Sequence, residues 1–339
     1  MSIQPAGSLL RAETRLLRDS GEPAAEESAE LLPPWPTDPK AAPARLYPSP
    51  GPAWPSRLLR GLLELLAPAR AACGLCGGGF APGRTSLAGL PADLPRSWCE
   101  GVCGRCRGMI PWISRIQCHV CGRPDPCGDC CRRTSSGFIR SRSAVRYTLE
   151  MRQLLARYKY RGEEALQPWL AEMLLPAYHA LAEELRLADR LPGRVSDRLG
   201  RDGRSEAQPF DLVTSVPISR QRLEERGFNQ AERLAASLAV RAGVTSRPLL
   251  ERKEERGKMS AKTRRERLLA AEGLFGAAPE AAGILRLLAA RDPERRRPLR
   301  LLIVDDIYTT GSTMDHCALA LQRCSHVPVD LYGLTWARA

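Results

Sequence analysis

The thirteen residues from Leu301 to Thr313, LLIVDDIYTTGST, constrain the fold more than any other segment of this chain. Leu301 to Val304 are uninterrupted aliphatics, the pattern of a strand buried on both faces of a parallel sheet rather than of one face of an amphipathic helix. Asp305 and Asp306 stand at its carboxyl end. Thr309, Thr310, Gly311, Ser312 and Thr313 then form a small-residue loop ahead of a helix expected from Met314 to Arg323. In open α/β sheets, ligands bind in the crevice outside the carboxyl ends of the strands. Gly311 lets backbone approach a ligand closely, the hydroxyls supply donors, and unpaired N–H groups at the helix start favour an anion. The carboxylates can accept hydrogen bonds from two neighbouring hydroxyls. The segment therefore predicts a parallel sheet with a sugar-phosphate site on its rim.

The rest of the C-terminal two thirds supports that sheet. Ser143 to Thr148 alternates like a strand, Leu149 to Tyr158 and Glu163 to Leu187 have helical spacing, and Asp211 to Val216 is a second strand. A helix is expected from Leu223 to Ala242, and VDLYGLTWA near the C-terminus is a further strand. Interleaved strands and helices define an α/β class. Residues 188–208, rich in Arg, Gly, Asp and Ser, read as a surface insertion. Between Ser215 and Ala235 a proline follows a strand and a basic, glycine-containing loop leads into a helix. There Arg222 and Arg226 can neutralise a pyrophosphate, and Asn229 and Gln230 can bond sugar or phosphate oxygens. An exposed basic helix start would read the same way.

Ten of the twelve cysteines fall between Cys73 and Cys131, and eight of these pair as C-x2-C. Clustered pairs favour metal over disulfides. Cys73, Cys76, Cys103 and Cys106 make one tetrahedral set; Cys118, Cys121, Cys127 and Cys130 make a second. Two structural zinc ions follow, because each C-x2-C turn brings two thiolates to one metal. The segment has little aliphatic content of its own and needs such a source of stability. Cys99 can compete with Cys103, and Cys131 with Cys130. His119 reads as a solvated side chain, and Cys317 and Cys324 as core residues of their helix. His316 is assigned no role.

The string LLIVDDIYTTGST resembles the phosphoribosyl pyrophosphate (PRPP) motif of type I phosphoribosyltransferases, in which an acidic pair holds the ribose hydroxyls and the loop cradles the 5'-phosphate. With the cysteine module, ARYKYRG (Ala156 to Gly162) and VPISRQRLEERGFNQ in the same order, the chain is similar to the ComF/GntX family. The resemblance covers about residues 56 to 339. It implies a double zinc ribbon over residues 73–135 followed, over 140–339, by a type I phosphoribosyltransferase-like parallel sheet flanked by helices. PRPP, with Mg²⁺, is the implied ligand. Lys159 matches the family's lysine-tyrosine pair and would help hold pyrophosphate, although a lysine closing a helix end reads equally well. The basic stretch 252–267 resembles the family's mobile segment over the site, with Arg267 matching a family arginine. Met259, Lys262 and Ala270 depart from that family's usual glutamine, leucine and asparagine.

Residues 1–54 hold ten prolines and no sustained period, which reads as a disordered extension; Ser56 to Leu66 reads as a helix leading, within residues 55–72, into the cysteine module. The net charge of +13 is carried by the remainder, since residues 1–54 hold five basic and seven acidic side chains. A basic body favours polyanions or phosphorylated ligands. Arg115, Arg123, Arg132 and Arg133, with Trp98, Trp112, Phe138, Tyr147, Tyr158 and Tyr160 nearby, make single-stranded DNA an expected partner. No apolar run is long enough to span a bilayer and no signal peptide is evident, so a cytoplasmic location is expected. Three roles fit the resemblance: a competence factor in the DNA-uptake machinery that handles single strands, an active phosphoribosyltransferase, or a PRPP-sensing regulator without catalysis.

Overall fold

Strand β7, Leu299–Tyr308, is the spine of the protein, and its alternating aliphatic residues explain the layers around it. Leu302 and Val304 pack into one apolar cluster with Leu154, Leu155, Leu234 and Leu238. Leu301 and Ile303 pack into a second with Met314, Cys317 and Leu321. A strand turns successive side chains to opposite faces, so a continuous aliphatic run demands cover on both. In this computed structural model the described residues are 71–81, 87–133, 136–190, 208–253, 273–295 and 297–339. All lie within the compact unit Trp35–Ala339. The expected extension 1–54, the helix from Ser56 to Leu66, residues 191–207 of the insertion and residues 254–272, which include Arg267, lie outside the described residues.

The strands in chain order are β1 Ala71–Ala72, β2 Gly79–Phe80, β3 Arg140–Arg146, β4 Leu212–Ser215, β5 Leu250–Arg252, β6 Phe275–Ala277, β7 and β8 Val329–Arg338. Strands β3, β8, β7 and β4 form the main sheet in that order, and every pairing is parallel. The expected α/β class with a parallel, helix-flanked sheet is observed. The helices are α1 Arg96–Gly101, α2 Gly104–Gly108, α3 Gly128–Arg132, α4 Leu149–Tyr160, α5 Gln167–Glu172, α6 Leu175–Arg190, α7 Arg220–Arg226, α8 Gln230–Ala242, α9 Ala281–Ala290 and α10 Ser312–Cys324.

Several expected elements have different extents. Strand β7 continues past both aspartates to Tyr308, so the acidic pair lies within the strand, with Asp305 opposite Thr335. Helix α10 begins at Ser312, two residues before the expected Met314. Strand β3 starts at Arg140 and releases Thr148 to cap α4, accepting a hydrogen bond from the Met151 amide. The stretch from Glu163 to Leu187 is broken into a 3-10 turn, α5 and α6. Pro176, in the first turn of α6, has no N–H to bond back into the preceding turn. The expected helix from Leu223 to Ala242 is likewise two helices, separated at Gly227, whose φ of +77° suits glycine. The antiparallel pair β5 and β6 and helix α9 were not foreseen.

The cysteine module is not a satellite with its own small core. Leu75, Leu94, Trp98 and Val102 are buried in the cluster that also holds Met151 and Leu155 of α4. Trp98 is fully buried, and its indole nitrogen donates to the Trp169 carbonyl of α5 at 3.0 Å.

Candidate functional site

The two cysteine sets assemble from local turns. In the first, hairpin β1–β2 carries Cys73 and Cys76; the Gly77 amide donates to the Cys73 carbonyl at 2.8 Å, the turn that aims both sulfurs inward. Cys103 caps α2, and Cys106 sits within it. In the second, the Gly122 amide donates to the Cys118 carbonyl at 2.9 Å, while Cys127 caps α3 and accepts from the Cys130 amide at 3.4 Å. Within each group of four the sulfurs lie within 4.8 Å of one another, so each group can hold a metal ion. Cys76 and Cys103 Sγ are 4.0 Å apart, and Cys121 and Cys127 Sγ 3.5 Å. Four thiolates at a zinc–sulfur bond of about 2.3 Å lie about 3.8 Å apart, so both groups fit tetrahedral zinc. Cys99, Cys131 and His119 belong to neither set; Cys131 and His119 are exposed.

At the carboxyl end of β7 the two aspartates part. Asp306 faces the side of α4 and α8, where its Oδ2 meets Lys159 Nζ at 2.5 Å and accepts from Gln230 Nε2 at 2.8 Å. Arg226 extends this line, donating to Gln230 Oε1 at 3.0 Å and to the Tyr160 hydroxyl at 2.8 Å, with its guanidinium 4.6 Å over the Tyr160 ring. Lys159 therefore does not merely close its helix; it is drawn to the acidic pair. Asp305 occupies the other face, where it lines a recess with Tyr308, Gly311, Thr313, Met314 and Thr335. Burial, with the Asp306 charge beside it, pushes its carboxyl up to about 8. That recess measures about 10 Å³. This is the scale of one water.

The loop after β7 turns at Gly311. Gly311 caps α10 at φ +85°, and a Cβ there would sit 2.0 Å from the Tyr308 hydroxyl. Thr309 and Thr310 are exposed. Helix α10, thirteen residues long, starts in this turn, where the Ser312 amide donates to Thr310 Oγ1 at 3.5 Å. One proposed ligand is otherwise engaged and another stands apart. Asn229 caps α8 through its Oδ1 and donates from Nδ2 to the Val216 carbonyl at 3.1 Å, so it shapes the loop after β4 instead of offering a free amide. Arg222 is exposed on α7, one turn before Arg226.

Half of the aromatic rings expected near a nucleic-acid surface are buried, and Trp112 and Tyr147 are half-buried. Trp98, Phe138 and Tyr158 are buried in the cores, whereas Tyr160 is 67% exposed. Arg115 and Arg132 are exposed. Arg123 lies 3.5 Å from Asp129, and Arg133 donates from Nη2 to the Thr310 carbonyl at 2.7 Å. That last contact was not foreseen.

Together these features define an α/β protein with a parallel four-stranded sheet and two tetracysteine groups N-terminal to it. No family model matches the chain. It is 27% identical to the competence protein ComFC of Bacillus subtilis over 231 residues, 66% of this chain and 78% of that protein. It is 26% identical to the ComFC of Streptococcus pneumoniae over 266 residues, 77% of this chain and 98% of that one. To the DNA utilization protein YhgH of Salmonella typhimurium it is 26% identical over 258 residues, 75% and 96% of the two chains. The chain is a homologue of the ComFC and YhgH proteins, and its two cysteine groups fit a double zinc ribbon.

Proposed function

We propose that this chain is a competence-type DNA-uptake protein of the cytoplasm whose α/β domain binds PRPP and whose zinc module helps handle single-stranded DNA. Homology to ComFC and YhgH supports the competence-related role. Among the described residues no helix is long and apolar enough to cross a membrane. One observation carries the ligand reading: Lys159 and Gln230, from two helices, meet on Asp306, and Arg226 of a third helix is joined to Gln230, while the adjacent Asp305 lines the recess under the Gly311 turn. This supports a reading in which a hydroxyl acceptor, cations and helix-start amides serve one ligand. In this reading Asp306 accepts from a ribose hydroxyl, Thr309 to Thr313 receive the 5'-phosphate, and Lys159, Arg222 and Arg226 face a pyrophosphate. Mg²⁺ enters on that pyrophosphate, since the ion usually keeps substrate phosphates and few protein ligands.

Calorimetric titration of PRPP into the zinc-loaded protein, with and without Mg²⁺, tests the reading. Binding is expected, stronger with Mg²⁺, and Asp306→Asn is expected to weaken it at least tenfold; equal affinity in the folded variant removes the assignment. Titration of single-stranded DNA into the same protein tests the second half. With few exposed rings, the contact is electrostatic. The logarithm of affinity should fall linearly with that of salt by about 0.7 per neutralised phosphate. An Arg115→Ala, Arg132→Ala variant with parental affinity and slope would leave this surface without a role.

A further inference from the structure

We infer that the second cysteine group and the phosphate loop form one coupled unit, with Arg133 as the positioning residue between them. This rests on the reading of Thr309 to Thr313 as an anion site, and it gives that site a regulator.

The geometry runs in two parallel lines. Along the first, α3 carries the ligand Cys130, the Arg133 amide donates to the Cys130 carbonyl at 3.3 Å, and the Arg133 guanidinium holds the Thr310 carbonyl. The same guanidinium is 3.9 Å from Asp315 in the first turn of α10. Asp315 in turn accepts from the Gly137 amide at 2.6 Å, and Gln322 of α10 donates to the Gly137 carbonyl at 2.9 Å. The chain leaving the cysteine group is therefore fastened to both ends of the turn that meets the anion. Along the second line, Cys118, Cys121, Cys127 and Cys130 pack in the same apolar cluster as Phe138, Tyr308 and Met314. Tyr308 meets Phe138 edge to face, and its hydroxyl lies under Gly311. The first cysteine group makes no such connection: Cys73 and Cys106 are buried in the cluster on the opposite face of the sheet.

Electrostatics ties the lines together. Arg338 lies 4.2 Å over the Tyr308 ring, and its Nε and Nη1 are buried without a hydrogen-bond partner, whereas Arg133 Nη1 faces the Asp315 carboxylate at 3.9 Å. Buried guanidinium charge requires compensation. Four thiolates around one Zn²⁺ would carry a net charge of −2; Cys121 of this group interacts electrostatically with Arg338, and Arg133 is tied to the Cys130 carbonyl through its amide. Metal in the second group thus holds Arg133 in place, and Arg133 presents the loop. Coupling of this kind is reciprocal: if metal favours the anion, the anion retains the metal by the same factor.

The test uses the full chain with both zinc ions loaded, following zinc release to a chromogenic chelator with and without PRPP and, separately, inorganic phosphate. The expected result is that ligand slows release of one of the two ions severalfold and leaves the other unchanged. In Arg133→Ala, with zinc still at two per chain, PRPP affinity should fall about tenfold and the slowing should vanish; Arg133→Lys, which keeps a donor, should recover part of both. Parental affinity in Arg133→Ala, or release of both ions indifferent to either ligand, overturns the coupling. Phosphate that slows release from a protein unable to bind PRPP would uphold the coupling and remove the PRPP reading.

Discussion

Because a strand turns neighbouring side chains to opposite faces, Asp305 and Asp306 meet different surroundings and have different chemistry available. Asp306 lies against Lys159 and accepts from the Gln230 amide, whereas Asp305 is enclosed beneath the Gly311 turn with its carboxyl raised to about 8. An unfolded aspartate titrates near 3.9. Between these values the folded chain holds more protons than the unfolded one, so this group's contribution to stability is complete below about pH 4 and is lost as pH rises through about 8. Asp305→Asn removes the titration. The melting temperature of the parent should therefore decline, relative to that variant, as pH is raised from 5 to 9, and parallel pH profiles would show that Asp305 ionises freely. The sequence pointed to the pair through residue type and spacing alone. It could not separate their roles, because the strand's extension to Tyr308 depends on pairing with β8, which no local pattern encodes. Arg133 was legible only as a surface cation, since its partner Thr310 lies 177 residues away.

At the scale of elements, the apolar period located nearly every described helix and strand of the sheet layer and misjudged where they stop. Leu223 to Ala242 keeps helical spacing throughout, yet Gly227 at φ +77° ends α7 and Asn229 caps the start of α8. The break has a structural consequence: it lets α8 start beside β7, which puts Gln230 against Asp306 and Arg226 against Tyr160. Glycine was the available signal, and the unbroken leucine spacing concealed it. Gly227→Ala must place a Cβ in left-handed backbone, at about 1–2 kcal/mol. Chemical denaturation should show a loss of that size, with weaker PRPP binding as the Arg226 and Gln230 side chains lose register; a variant as stable as the parent would mean that α7 and α8 tolerate a different junction. The short β5 and β6 escaped notice because three-residue strands carry too little pattern to be read.

For the whole described body, the decisive fact is that the cysteine module buries its apolar residues in the cores of the sheet. Sequence composition rightly indicated that the module lacks a core of its own, but not where its leucines and tryptophans go. Trp98, Leu75 and Val102 join the α4 and α5 side, while Cys121 and its neighbours join the α10 side. The two cysteine groups thus brace opposite faces of one sheet, and free energy from metal bound there would become folding free energy for both layers. Chelation should therefore lower the stability of the sheet as well as of the module. Scanning calorimetry of the zinc-loaded chain is expected to give one main transition, with one or both ions bound only in the native state. Excess chelator should shift that entire transition downward by ten degrees or more, since a change of 1 kcal/mol moves a domain of 150–250 residues by about 2–4 °C. Two separated transitions, the later one unmoved by chelator, would mean that the sheet holds together without its metal braces and that the buried Trp98 contact to Trp169 contributes little to it.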